Sequence, residues 1–132
     1  MVKILVVDDD PDFQDMMTLV LQSAGYAVEN AYDGARALER IAADPPDLVL
    51  LDVMMTTETE GIEVAQRLRA DPRTRGIPLV MLTSVNVEKR FPAPLEPDAD
   101  WLPVDRFLDK PVKPALLLTT VAELLGKETN HG

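Results

Sequence analysis

Residues 48–55 read LVLLDVMM, so that one aspartate, Asp52, lies among seven apolar residues. An unbroken apolar run of this kind is typical of a parallel strand that is covered on both faces. A carboxylate in the middle of such a strand would be costly to bury without a partner. We therefore predict that Asp52 is the last residue of its strand and opens into a polar cleft.

Similar short apolar runs recur along the chain, and longer amphipathic stretches separate them. The sequence predicts strands at 4–7, 26–31 (an edge strand), 48–51, 77–82 and 104–108. It predicts helices at 11–24, 33–43, 60–70 and 114–126, with a further helix between the last two strands in doubt because prolines interrupt 91–97. This alternation predicts an α/β fold, a doubly wound parallel sheet with right-handed crossovers and helices on both faces.

The composition narrows the class of protein. A length of 132 residues predicts one domain, residues 1–126, followed by a flexible polar tail at 127–132. The absence of cysteine excludes disulfides and thiol chemistry, and a formal charge of −10 disfavours direct nucleic acid binding. No apolar run approaches the length of a membrane span. We therefore expect a cytoplasmic protein without membrane contact.

Polar residues follow the predicted strands at the points where the strands end. The first strand is followed by residues 8–10, all aspartate, and the third by Asp52. Thr83 follows the fourth strand, and Asp109 and Lys110 follow the fifth. Ligands of such sheets bind beyond the carboxyl ends of the strands, so we expect these side chains to converge there.

Clustered carboxylates need cations nearby. Two unit charges 4 Å apart repel by about 4 kcal/mol at an effective dielectric constant of about 20. Lys110 supplies one positive charge, and a magnesium ion held by two carboxylates, a carbonyl and waters would supply two. A carboxylate nucleophile, a metal, a hydroxyl and a lysine together indicate phosphoryl chemistry.

Four motifs in this order resemble the receiver domain of two-component response regulators, in the superfamily of chemotaxis regulators. They are ILVVDDDPD (4–12), DLVLLDVMM (47–55), IPLVMLTS (77–84) and FLDKPVKP (107–114). The resemblance covers residues 2 to 126. It implies a five-stranded sheet in the flavodoxin-like order 2-1-3-4-5.

The resemblance implies a phosphoacceptor and a metal site. Asp52 would accept phosphate from a sensor histidine kinase or a phosphotransfer protein. Mg²⁺ (or Mn²⁺) would be held by Asp8, Asp9, Asp52 and the backbone carbonyl of Met54.

It also implies a switch. Thr83 would bond to the phosphoryl group and move toward it, and Lys110 would pair with a phosphoryl oxygen. The peptide bond between Lys110 and Pro111 would be cis. Phe107 occupies the position of the aromatic switch residue, a role that is compatible with plain core packing.

Several positions depart from the family pattern. Thr56 stands where a proline is usual, and Gly61 comes nine residues after Asp52, which indicates a loop one residue longer. Residues 85–103 form a longer, proline-rich insertion, where Trp101 would either pin the loop to the body or anchor a partner. The insertion lies where the fourth helix commonly forms part of the family's signalling surface.

The family resemblance also bears on how long a phosphoryl group would survive. Met54 and Val85 occupy the two positions that influence the approach of water, and neither side chain can orient a water molecule. We expect self-phosphorylation from a small phosphodonor and slow autodephosphorylation, but no other enzymatic activity.

The sequence is compatible with three hypotheses about function. The first is a phosphoacceptor receiver that signals through contacts with an unknown downstream protein, as a single domain. The second is a binding module that keeps the fold but does not switch. The third is a phosphatase of the haloacid-dehalogenase type, which would use Asp8 and Asp10 as its D-x-D pair; the aspartate that becomes phosphorylated separates it from the first.

Overall fold

A computed structural model of the chain describes residues 1–53, 60–84 and 103–129. These residues form one five-stranded, all-parallel sheet in the order β2-β1-β3-β4-β5. The strands are β1 (Lys3–Val7), β2 (Ala27–Ala31), β3 (Leu48–Asp52), β4 (Leu79–Thr83) and β5 (Arg106–Asp109). The helices are α1 (Pro11–Ser23), α2 (Gly34–Ala43), α3 (Glu60–Ala70) and α4 (Pro114–Thr129). The predicted fold class and strand order are confirmed.

Two apolar clusters lie on opposite faces of the sheet, because successive side chains of a strand point to opposite sides. Leu48 and Leu50 of β3 pack with residues of α1 and α4. Val49 and Leu51 pack with residues of α2 and α3. All five residues of β3 are buried, which explains why its sequence is an unbroken apolar run rather than an alternating one.

Helix α1 begins and ends where its sequence predicts. The Asp10 side chain accepts a hydrogen bond from the backbone N–H of Asp12 at 3.0 Å, and Pro11 occupies the first turn. After the C-cap residue Ala24, Gly25 takes a φ of 92°, which suits glycine. Asp10 is therefore used as a helix cap.

Helix α4 corrects one expectation about the end of the chain. It does not stop at Gly126 but continues to Thr129, three residues into the predicted tail. Gly126 does not have a positive φ, so it lies within the helix instead of ending it. Residues 54–59, 85–102 and 130–132 lie outside the described ranges, and the expectations for Met54, Thr56, Val85 and Trp101 fall there. Within the described ranges, no helix is long and apolar enough to cross a membrane.

Arg69 of α3 joins the amino-terminal ends of β4 and β5. Its guanidinium donates hydrogen bonds to three backbone oxygens and to Oδ2 of Asp105 at 2.9 Å. The same oxygen of Asp105 accepts the backbone N–H of Leu79 at 2.8 Å. One carboxylate thus serves as the counter-ion of Arg69 and as an acceptor for the first residue of β4.

Replacing Asp105 with alanine tests this junction. The change leaves a guanidinium without its counter-ion and a backbone donor without its acceptor, so the free energy of unfolding should fall by about 2 kcal/mol. Urea denaturation measures it. Arg73→Ala is the control, because the pair of Arg73 with Asp71 is exposed and should add nothing measurable. Equal stability of both variants would contradict the junction.

Candidate functional site

The carboxyl ends of the strands bring together the polar residues that the sequence predicts there. In the sheet, Asp52 pairs in register with Leu82, and Thr83 pairs with Asp109. Lys110 reaches from the end of β5 across to the ends of β1 and β3. The neighbouring ends of β1, β3, β4 and β5 therefore form one polar edge.

Asp52 is the last residue of β3 and is only 5% exposed. Its Oδ2 lies 3.3 Å from the Nζ of Lys110. The same Nζ lies 2.7 Å from Oδ2 of Asp8, which is fully buried. One ammonium thus bridges two buried carboxylates from different strands, and this offsets the cost of burying Asp52.

Lys110 has a second contact that keeps it in place. Its Nζ lies 4.3 Å from the ring centroid of Phe13, within the range of a cation–π interaction. Burial by itself lowers the pKa of the Lys110 ammonium, but the hydrogen bond to Asp8 and the charge of Asp52 outweigh it, and the pKa is raised. Lys110 therefore stays charged at neutral pH.

The carboxylate oxygens of Asp8, Asp9 and Asp52 lie within 4.8 Å of one another. Around a magnesium ion, oxygen ligands lie about 2.1 Å from the metal and opposite ligands lie about 4.2 Å apart, so small side-chain shifts suffice to fit it. Among the described residues, Lys110 pairs with Asp8 and Asp52, and Asp9 adds a third carboxylate to the cluster, which suits a divalent cation. These three side chains fit Mg²⁺ in both chemistry and spacing.

Gln14 is a site residue that the sequence analysis missed. It is 1% exposed, and its Nε2 donates to the backbone oxygens of Val6, Asp8 and Ala31 at 2.9 to 3.1 Å. It therefore holds the end of β1, and with it Asp8, against β2. The available signal was a polar residue at an inward position of α1, next to Phe13.

Thr83 is 1% exposed, and its Oγ1 donates a hydrogen bond to Oδ1 of Asp109 at 3.1 Å. Its backbone oxygen accepts the N–H of Lys110 at 2.7 Å. Phe107 is partly buried and packs against the apolar cluster on the α2–α3 face. The peptide bond between Lys110 and Pro111 is cis.

Gly61 lies in close contact with the backbone at the end of β3. Its N–H donates to the carbonyl of Val53 at 3.1 Å. A Cβ at this position would lie 2.0 Å from the backbone oxygen of Asp52 and 2.8 Å from Cα of Val53. Only glycine fits this approach without moving the backbone that carries Asp52.

One cavity among the described residues lies away from this edge. It has a volume of about 440 Å³ and lies between the carboxyl-terminal ends of α2 and α3, where Ile41, Pro45 and Leu68 contribute to its wall. The residues of the polar edge do not line it. The carboxylate cluster is therefore separate from this cavity.

Comparisons with known proteins identify the class. The family model of the response regulator receiver domain matches residues 4–122. The chain is 40% identical over 129 residues to the DNA-binding response regulator MtrA of Mycolicibacterium smegmatis, which covers 98% of this chain and 53% of that protein. It is 42% identical over 85 residues to the DNA-binding dual master transcriptional regulator RpaA of Synechocystis, covering 64% and 35%.

Solved structures of receiver proteins have the same fold as this chain. The signal receiver domain of a signal transduction histidine kinase from Syntrophus aciditrophicus has a TM-score of 0.80 at 28% identity, covering 96% of this chain and 92% of that one. The Vibrio cholerae chemotaxis protein CheY4 has a TM-score of 0.77 at 30% identity, covering 94% and 98%. The chain belongs to the response regulator receiver domain family, which is a class of regulatory domains rather than enzymes. It spans about half the length of the curated MtrA relative.

Gly61→Ala tests the close approach to Asp52. Because the added methyl group must push backbone atoms apart, the free energy of unfolding should fall by about 2 kcal/mol or more. If Asp52 accepts a phosphoryl group, as the family resemblance implies, its phosphorylation by a small phosphodonor should also slow. Urea denaturation and intact-mass kinetics measure the two effects. Gly76→Ala is the matched control, since a Cβ there meets nothing within 4 Å; equal behaviour of the two variants would refute the steric argument.

Lys110→Met tests the competition between the ammonium and a divalent cation. Removing a positive charge from beside Asp8 and Asp52 should tighten Mg²⁺ binding at least about fivefold and lower the stability of the metal-free protein. Isothermal titration calorimetry and urea denaturation measure these changes. Lys113→Met removes an exposed lysine three residues away and should change neither. Weaker Mg²⁺ binding by Lys110→Met would contradict the competition.

Proposed function

We propose that Asp52 accepts a phosphoryl group from a sensor histidine kinase or a phosphotransfer protein, and that the phosphorylated domain signals through protein contacts. The observation that most supports this is the position of the Lys110 ammonium, 2.7 Å from Asp8 and 3.3 Å from Asp52. It places a cation beside the carboxylate that would become the nucleophile. The same proposal places the protein in the cytoplasm, where such kinases carry their phosphohistidine.

In the proposed transfer, a carboxylate oxygen of Asp52 forms a bond to phosphorus while the bond from phosphorus to the histidine nitrogen breaks. The electron pair of that bond stays on the imidazole. Lys110 lies within reach of an oxygen of the incoming group and offsets the added negative charge. Asp8 keeps Lys110 oriented through the 2.7 Å contact.

Asp8, Asp9, Asp52 and the backbone carbonyl of Met54 would hold a magnesium ion, or a manganese ion in its place. When bound, the ion would neutralise charge on the carboxylates and on the phosphoryl oxygens. Asp9 is the exposed member of the cluster and is therefore open to solvent. Gln14 supports this arrangement by fixing the backbone of Asp8.

Thr83 would donate its hydroxyl to a phosphoryl oxygen, and Phe107 would respond by repacking on the α2–α3 face. Thr83 is buried beside the site, and Phe107 is only partly buried, so its ring has room to change position. The output is proposed to be a changed protein surface near β4 and β5. Slow autodephosphorylation, expected from Met54 and Val85, stays a prediction.

The curated relatives are DNA-binding regulators by name, and this chain matches about half of MtrA. For the domain itself we propose an unknown downstream protein as the partner. The formal charge of −10 argues against direct contact between this domain and nucleic acid. We likewise propose no contact between this domain and a membrane.

The phosphatase reading loses support from the geometry of its D-x-D pair. The carboxylate of Asp10 caps α1. Oδ1 of Asp8 accepts the N–H of Asp10 at 2.9 Å, and Oδ2 of Asp8 pairs with Lys110. The carboxylate of Asp10 is thus used in capping α1, which argues against a catalytic role for it in a D-x-D pair.

The proposal predicts one added phosphoryl group on Asp52 after incubation with Mg²⁺ and acetyl phosphate. Intact mass measures the adduct, and reductive trapping maps it. Asp52→Asn and omission of metal should each abolish it, whereas Asp15→Asn, an exposed aspartate on α1, should not. An adduct on Asp8 would indicate the phosphatase reading, and no adduct on a folded protein would favour the non-switching module.

A further inference from the structure

The hydroxyl of Thr83 already has a partner in this structure. It donates to Oδ1 of Asp109 at 3.1 Å, across the register pair that joins the ends of β4 and β5. Thr83 is 1% exposed, so its hydroxyl has little access to water as an alternative acceptor. Asp109 is exposed and, among the described residues, makes no ion pair that would occupy its carboxylate.

A threonine hydroxyl has one proton and therefore donates one strong hydrogen bond at a time. If Thr83 donates to Asp109, it does not donate to an oxygen on a phosphorylated Asp52. Hydrogen bonds to a charged acceptor are stronger than those between neutral groups, so the bond to Asp109 is a substantial competitor. Moving the proton from one acceptor to the other requires breaking it.

We infer that Asp109 is a positioning residue that holds the Thr83 hydroxyl in the unphosphorylated protein and opposes its transfer to the phosphoryl group. This inference rests on the proposed function of Asp52. Asp109 acts through Thr83 and has no contact with the reacting atoms. The hydrogen bond between Thr83 and Asp109 must break before the hydroxyl can bond to the phosphoryl group. Its strength therefore reduces the free energy that the phosphoryl contact supplies for the structural change.

The position of Asp109 makes this role specific to its side chain. It directly precedes Lys110, whose backbone N–H bonds to the backbone oxygen of Thr83 at 2.7 Å. The backbones of β4 and β5 are therefore joined at this point without the help of the Asp109 carboxylate. Removing that carboxylate should free the hydroxyl of Thr83 while leaving the strand pairing in place.

The experiment measures the affinity of the protein for beryllium trifluoride in the presence of Mg²⁺, since this anion imitates a phosphoryl group on a carboxylate without covalent transfer. Asp109→Ala should bind it about tenfold more tightly than the unchanged protein. Asp109→Asn, which keeps a neutral acceptor, should give an increase of about threefold. Glu39→Ala, which removes an exposed carboxylate on α2, should bind as the unchanged protein does.

A double-mutant cycle with Thr83→Val shows whether the effect passes through the hydroxyl. Thr83→Val has no hydroxyl for Asp109 to hold, so adding Asp109→Ala to it should change the affinity less than about twofold. Persistence of the full increase in that background would overturn the inference, because Asp109 would then act by charge alone. No increase in Asp109→Ala with Thr83 intact would overturn it as well.

Acetyl phosphate separates this inference from the function on which it rests. If the unchanged protein gains a phosphoryl group on Asp52 but the Asp109 variants show no gain in affinity, the inference alone fails. If the unchanged, folded protein neither binds the anion nor gains the phosphoryl group, the proposed function fails and the inference falls with it. Urea denaturation of each variant confirms that it is folded.

Discussion

The ammonium of Lys110 is the interaction on which the polar edge depends. It joins the ends of three strands through the carboxylates of Asp8 and Asp52, which are 102 and 58 positions away in the chain. Without it, two buried carboxylates would face each other and repel. The ring of Phe13 contacts the ammonium, and Gln14 donates a hydrogen bond to the backbone oxygen of Asp8. Both contacts hold this arrangement in place at the end of the sheet.

The site combines a stable apolar scaffold with carboxylates that lie close to one another. Apolar clusters on both faces and the junction at Arg69 stabilise the sheet away from the site. At the carboxyl edge, Asp8 and Asp52 share the Lys110 ammonium, and within the described part of the chain Asp9 brings a third carboxylate close to them. A charge imbalance held by a rigid scaffold is a physical basis for binding a metal and responding to an added phosphoryl group.

Much of the fold was predictable from local patterns. Apolar runs and helical periodicity predicted the strands and helices, and capping residues such as Asp10 and Gly25 predicted their ends. The predicted end of α4 at Gly126 was wrong, because this glycine lies inside the helix without a positive φ, and whether a glycine takes the left-handed conformation that ends many helices depends on the surrounding packing. Local pattern carries no information on that choice.

The sequence by itself determined the fold class, the carboxyl ends of the strands to within one residue and the residue types gathered there, because periodicity and strand-end chemistry are properties of neighbouring residues. The starts of β4 and β5 lie two residues later than predicted. Only the tertiary structure decided which of those groups bond to one another. The contact of Phe13 with Lys110, the three carbonyls held by Gln14 and the hydrogen bond from Thr83 to Asp109 are pairings between different elements. Such pairings depend on side-chain direction and packing distance, which are set only when the strands and helices assemble.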